Sequence, residues 1–191
     1  MVSSAALPTR RLFIAIFPPK LVQEAAARVM DALRTRRDDV AWVQRKNLHY
    51  TLRFLGEQPD SAARAAADAM REAAAAHAPF QAKLDRAGAF PDAARARVLW
   101  LGMREGAAKL KALSATLDQA LLARGFERAD RPFAPHLTVG RTRVPGDWLT
   151  RLAAAPDCDA GFRVDELLLV QSTLAPGGSR YDVRERAALT R

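Results

Sequence analysis

Two of the three histidines in this 191-residue chain carry the same short tag. The first is His49-Tyr50-Thr51-Leu52 and the second His136-Leu137-Thr138-Val139. Nine of the 191 residues are Thr, so one such tag is roughly a one-in-twenty accident for a given His, the usual weakness of a short motif. Two copies among three histidines are much rarer. Both tags lie in stretches that read as strands, where residues i and i+2 share a face. His49 projects with Thr51, and His136 with Thr138. Tyr50 and Leu52, like Leu137 and Val139, turn the other way into a core.

Two imidazoles, each beside a hydroxyl, suit chemistry at a phosphodiester. In-line hydrolysis places the attacking and leaving oxygens on opposite sides of phosphorus. One group takes a proton from water and another gives one to the departing oxygen. Histidine suits both tasks because its unperturbed pKa lies near neutrality. The Thr hydroxyls can donate to the non-bridging oxygens. Neither His has a carboxylate at ligand spacing, so no metal and no cofactor is expected. His77 has no tag; it closes an Ala-rich helix, where its charge suits the helix dipole.

The elements that must position the tags repeat. Leu12–Phe17 reads as a buried strand, broken by Pro18-Pro19, which opens a helix from about Lys20 to Arg36 with Leu21, Ala25, Val29 and Leu33 on one stripe. A short strand follows at 40–43 and a longer one at 48–55, ended by Gly56. A helix spans 61–77, strands 80–90 and 97–103, and a helix 109–124 stopped by Gly125. The second tagged strand covers 136–143, a short helix 147–154, and strands 162–173 and 180–187 form a hairpin. Leu12 precedes His49 by 37 residues, and Leu99 precedes His136 by the same number. Two such units about a pseudo-two-fold axis put the tags across a groove. The expected fold is α+β: two pseudo-symmetric lobes, each a mainly antiparallel sheet with outer helices. A single bilobal domain is expected over residues 11–191, after a frayed terminus at 1–10.

Composition sets the outer bounds. The hydrophobic fraction of 49% and charged fraction of 27% are those of a globular protein with a core. A single cysteine, Cys158, allows no internal disulfide and points to a reducing compartment. The apolar runs are too short to span a bilayer, so a cytoplasmic, non-membrane protein is expected. Nothing in the sequence asks for a dimer, and a monomer is expected. The net charge of +9 fits a polyanionic partner, and fits equally a compositional preference for Arg in an Ala-rich chain.

The segments Asn47–Gly56 and Arg131–Val139 resemble the two signature strands of the 2H phosphoesterase superfamily. Within it, the chain is most similar to the LigT-like RNA 2′,3′-cyclic phosphodiesterases, also called 2′–5′ RNA ligases. Val98-Leu99-Trp100-Leu101-Gly102 fits that family's middle strand. The resemblance implies RNA ends or nucleotides carrying a 2′,3′-cyclic phosphate as partners and a 2′-phosphate as product. It implies His49 as proton donor and His136 as proton acceptor; the sequence alone does not distinguish these parts. Thr51, Thr138, Arg141 and Phe54 carry over as substrate-binding residues.

Phe54 and Arg141 each lie five residues beyond their His. Strict alternation turns both from the His face and puts Arg53 on it. Gly140 offers a bulge that could re-aim Arg141; Phe54 has no such device. Core packing for Phe54 and a surface charge for Arg141 therefore stay open. Trp42 is expected in the core, and Tyr181 either borders the groove or packs in the hairpin. Arg131 either helps bind or solvates the loop before the second tag. The alternatives are a phosphodiesterase for 2′–5′ oligonucleotides or small cyclic nucleotides, and an RNA-end binding module without turnover.

Overall fold

A computed structural model describes residues 9–36, 39–176 and 178–191. Its elements are β1 (Thr9–Ile16), α1 (Lys20–Leu33), β2 (Val40–Trp42), β3 (Tyr50–Pro59), α2 (Asp60–Ala75), β4 (Phe80–Phe90), β5 (Ala96–Glu105), α3 (Ala107–Leu122), β6 (Leu137–Gly146), α4 (Leu149–Ala153), β7 (Gly161–Val164), β8 (Glu166–Ala175) and β9 (Gly178–Ala188). Two antiparallel sheets result. The first has the order β3-β1-β8-β9 and the second β2-β6-β5-β4-β7. This is the α+β architecture the repeat predicts.

Each sheet draws on both halves of the chain. β3 flanks β1 as β6 flanks β5, which is the predicted repeat. The later strand of each half then crosses over: β4 joins β5, and β8 joins β1. The lobes are thereby interlocked. The run at 162–173 proves to be two strands. Phe162 and Val164 bury themselves in the sheet of β4, while Leu167 and Leu169 serve the sheet of β1. The chain changes sheet at Asp165, whose carbonyl accepts from the Leu189 amide at 2.7 Å. A continuous β-prone run hides such a crossing.

Thr9 and Arg10, expected in the frayed terminus, pair with Pro59 and Gln58, and Arg10 meets Asp60 at 2.5 Å. The rest of that expected terminus, residues 1–8, lies outside the described residues. β3 does not stop at Gly56. That glycine takes φ +73° and absorbs a register shift against β1, so pairing continues to Pro59. In α1 the buried stripe is Val22, Ala25, Ala26, Val29, Met30 and Leu33, whereas Leu21 is 72% exposed. The stripe starts one residue later than expected, on a branched side chain.

The outward faces of the sheets and the helices share one buried cluster. It includes Leu12, Ile14, Leu99, Leu101, Leu113, Leu117, Leu167 and Leu169. The alanines of α2 (Ala66, Ala69, Ala73) let it pack against α3 and the back of the first sheet. Trp42 is half-buried against the same cluster, edge to face with Trp148 at 6.2 Å. No helix among the described residues is long and apolar enough to cross a membrane.

Candidate active site

A smaller apolar cluster lies on the other face of the first sheet. Phe13, Ala15, Leu168 and Val170 form it, with Phe17 and Tyr181 packed against it. Ala15 lies opposite Thr51, and Phe13 opposite Phe54. Cross-strand partners share a face, so this face carries the first tag.

His49 sits at the foot of β3, just after a 3-10 turn at Arg45–Asn47. Its Nδ1 lies 2.7 Å from the carbonyl oxygen of Asn47. His136 sits at the foot of β6, with its Nδ1 2.7 Å from the carbonyl oxygen of Ala134. A carbonyl can only accept, so Nδ1 carries the proton in both rings. Each Nε2 is left to take or give a proton. The two sites are the same device built twice, with the residue two positions back as the anchor. Asn47 is itself held by its side-chain amide, which donates to the Ser179 carbonyl at 2.8 Å.

The surroundings of the two rings differ. His49 stacks on Phe17 (5.2 Å, 22°), tilts against Phe13 (4.9 Å) and meets Tyr181 edge-on at 5.2 Å. Tyr181 thus borders the groove. Among the rings of the described residues, His136 meets Phe90, at 5.0 Å and 88°. Burial pushes the pKa of His49 below the ordinary imidazole value. The Asn47 carbonyl opposes this, and the charges of Arg141 and His136 add to the depression. His136 is depressed by burial and by Arg141, against the pull of the Ala134 carbonyl. Arg141 therefore acts on both rings, and His136 acts on His49.

The same irregularity follows each tag. In the first sheet Ala15 pairs with Thr51 but Ile14 with Arg53, leaving Leu52 extra. In the second, Trp100 pairs with Thr138 but Leu99 with Gly140, leaving Val139 extra. A one-residue bulge at the same place in both repeats reverses the parity beyond it. Leu52 and Arg53 both turn inward, 5% and 8% exposed, and Phe54 returns to the His face at 60% exposure. Phe54 lies 6.0 Å from Phe13, and Arg141 is exposed on the side of both imidazoles.

The expectation from strict alternation is thus reversed. Phe54 and Arg141 are on the histidine face, and Arg53 is not. Arg53 reaches the opposite way, to Asp118 of α3 at 2.9 Å and to the Glu127 carbonyl. The bulged residue in the second repeat is Val139, and Gly140 has another reason to be glycine. A Cβ there would stand 2.8 Å from Val40 Cγ1 and 3.1 Å from Trp42.

Thr51 and Thr138 are half-buried one pleat beyond their histidines. His77 is apart from the site, its Nε2 2.8 Å from the Thr116 hydroxyl, where it ties the end of α2 to α3. Arg131 is exposed in the loop before the second tag. Among the described residues, no three His, Cys, Asp or Glu side chains come together as a metal site. The residues that sequence reasoning missed are the anchor Asn47 and the rings Phe13, Phe17 and Phe90. Their signal was position alone: Asn47 two residues before a tag, Phe13 on the strand paired with one and Phe17 just past its end, and Phe90 one strand further across the second sheet.

The family described as the 2′-5′ RNA ligase superfamily matches residues 18–175. The chain belongs to that superfamily. The resemblance to 2H phosphoesterases drawn from the tags is borne out at this level. Among relatives of this superfamily member, the RNA 2′,3′-cyclic phosphodiesterase of Methanothermobacter thermautotrophicus is 33% identical over 90% of this chain and 94% of that protein. The protein of the same description from Aquifex aeolicus is 31% identical over 92% of this chain and 95% of its own. A crystal structure of E. coli LigT complexed with 3′-AMP superposes with a TM-score of 0.78 at 30% identity, covering 96% of this chain and 99% of LigT.

Proposed function

We propose that the chain is a metal-independent RNA 2′,3′-cyclic phosphodiesterase that opens the cyclic phosphate to a 2′-phosphate. One observation carries the reading. Two imidazoles, each held by Nδ1 to the carbonyl two residues back, present Nε2 with a Thr beside each. The relatives described as cyclic phosphodiesterases across nearly their whole length support it.

In this reading the phosphate lies between the two Nε2 atoms. Water attacks phosphorus and gives a proton to His136, while the bond from phosphorus to the 3′ oxygen breaks. That oxygen leaves with the proton of His49 as a 3′-hydroxyl, and the phosphate stays on the 2′ oxygen. Thr51 and Thr138 donate to the non-bridging oxygens, whose charge grows in the transition state. Arg141 supplies a positive charge to the same oxygens. Phe54, exposed beside Phe13, offers its face to the base of the terminal nucleotide. The Phe17 ring stacked on His49 supports His49 as the proton donor, because a ring face attracts the imidazolium and offsets part of its burial cost.

The same steps with a 5′-hydroxyl in place of water join a 2′,3′-cyclic end to it through a 2′–5′ linkage, in keeping with the superfamily's description; dilute ends in water favour hydrolysis. The test is turnover of a short RNA ending in a 2′,3′-cyclic phosphate, in EDTA, with the phosphate position read by NMR. A 2′-phosphate is expected, and His49→Ala and His136→Ala should each lose about 10²- to 10⁴-fold. A 3′-phosphate refutes the assigned leaving group, and loss of activity in EDTA restored by added metal refutes the metal-free mechanism. Unchanged turnover in both variants refutes the paired-histidine chemistry.

A further inference from the structure

The second sheet has an aromatic surface of its own, on the face that carries the second tag. Trp100 of β5 lies directly across from Thr138 on one side and Gly88 on the other, so it shares the face of the second tag. Its flanking residues Leu99 and Leu101 are fully buried on the reverse face. The indole lies flat over Gly88. A Cβ at that glycine would stand 2.3–2.8 Å from three atoms of the six-membered ring. Gly102, two residues along β5, leaves room for the ring edge at 3.5 Å. Phe90 flanks the indole at 5.2 Å and 38°, and also meets His136.

Neither ring packs against the two buried clusters, and both are half-buried. The indole N–H meets no acceptor among the described residues, so the ring is held by contact with its glycine bed. The equivalent position in the other repeat, opposite Thr51, is Ala15, a methyl group where the second repeat has the indole. Flat aromatic rings on a sheet face bind bases by stacking, with little regard to sequence.

We propose that Trp100 is a stacking platform for a second base, that of the nucleotide preceding the cyclic-phosphate end. This rests on the reading of the site given above. The terminal nucleotide carries one base, and with its phosphate between the histidines that base fills the Phe54 wall. The platform on the facing sheet is then occupied only by a neighbour in the chain. The site is thus built for oligonucleotide ends in preference to mononucleotides.

The test compares the affinity of adenosine 2′-phosphate with that of a diadenosine ending in a 2′-phosphate, by calorimetry. The native protein should bind the dinucleotide about 10-fold tighter or more, the scale of one stacked base. Trp100→Leu should remove that advantage. Gly88→Ala, which drives a methyl into the ring, should reduce it without touching the indole chemically, and it serves if Trp100→Leu does not fold. Trp100→Phe should retain part of it. The inference is overturned if the native protein shows no dinucleotide advantage, if the advantage survives Trp100→Leu and Gly88→Ala, or if both ligands weaken equally. These affinities do not depend on turnover, so failure of the hydrolysis reading registers separately in the EDTA assay.

Discussion

Replacing Asp118 by Ala separates two roles for Arg53. The Arg53 side chain is 9% exposed and its carboxylate partner 27% exposed, with 2.9 Å between charged atoms. Losing one partner of a buried ion pair costs about 3–5 kcal/mol, because the remaining charge is left uncompensated. Here the Glu127 carbonyl stays as an acceptor, and Asp118 lies near enough to solvent for water to enter. The lower figure of about 2–3 kcal/mol is therefore expected. For a protein of this size that is a fall of about 1 M in the urea midpoint, or about 5–10 °C in Tm. Arg53→Met with Asp118→Leu should recover much of the loss, since an apolar pair of similar volume replaces an ion pair at little cost.

The functional arm uses Arg53→Met alone. A phosphate-binding Arg would contribute to the salt dependence of RNA affinity, and its loss would lower the slope by about one. A latch between β3, α3 and the segment leading to His136 would leave the slope alone. We expect an unchanged slope and a lowered midpoint. A midpoint for Asp118→Ala within about 0.2 M of the native value, or a reduced slope for Arg53→Met, refutes the latch.

Two further outcomes follow from the site. Burial and positive neighbours depress both imidazoles, so the kcat/KM profile should be bell-shaped with its maximum below the unperturbed value of about 6.5; a maximum above pH 7 contradicts the depression. Arg141→Gln removes a charge that disfavours both imidazolium ions, so both limbs should move toward higher pH while kcat/KM falls about 10²-fold; a loss of rate with no movement of the limbs means that Arg141 does not face the histidines.

The tags were legible because the facing of residues i and i+2 is local to one strand. What lay beyond them was not. Whether residue i+5 shares the face depends on how β3 pairs with β1 and β6 with β5, and a one-residue slip in pairing reverses every later side chain. Leu52 and Val139 carry that slip, and nothing in their chemistry marks them: each is a common strand residue in an apolar run. The consequence reached three functional expectations together, moving Phe54 and Arg141 onto the histidine face and Arg53 off it. The repeat itself held the missing signal. An irregularity at one position of one unit is ambiguous; the same irregularity required at the matching position of both units, to bring Phe54 and Arg141 to their histidines, is a constraint that symmetry supplies. The crossing at Asp165 had no such signal, since β7 and β8 follow one another as a single β-prone run and only the pairing decides which sheet receives each. Conversely, Trp100 stood in plain view within a strand that fitted the family. Its meaning lay in Gly88, across the sheet and twelve residues earlier, whose missing side chain makes the bed for the ring.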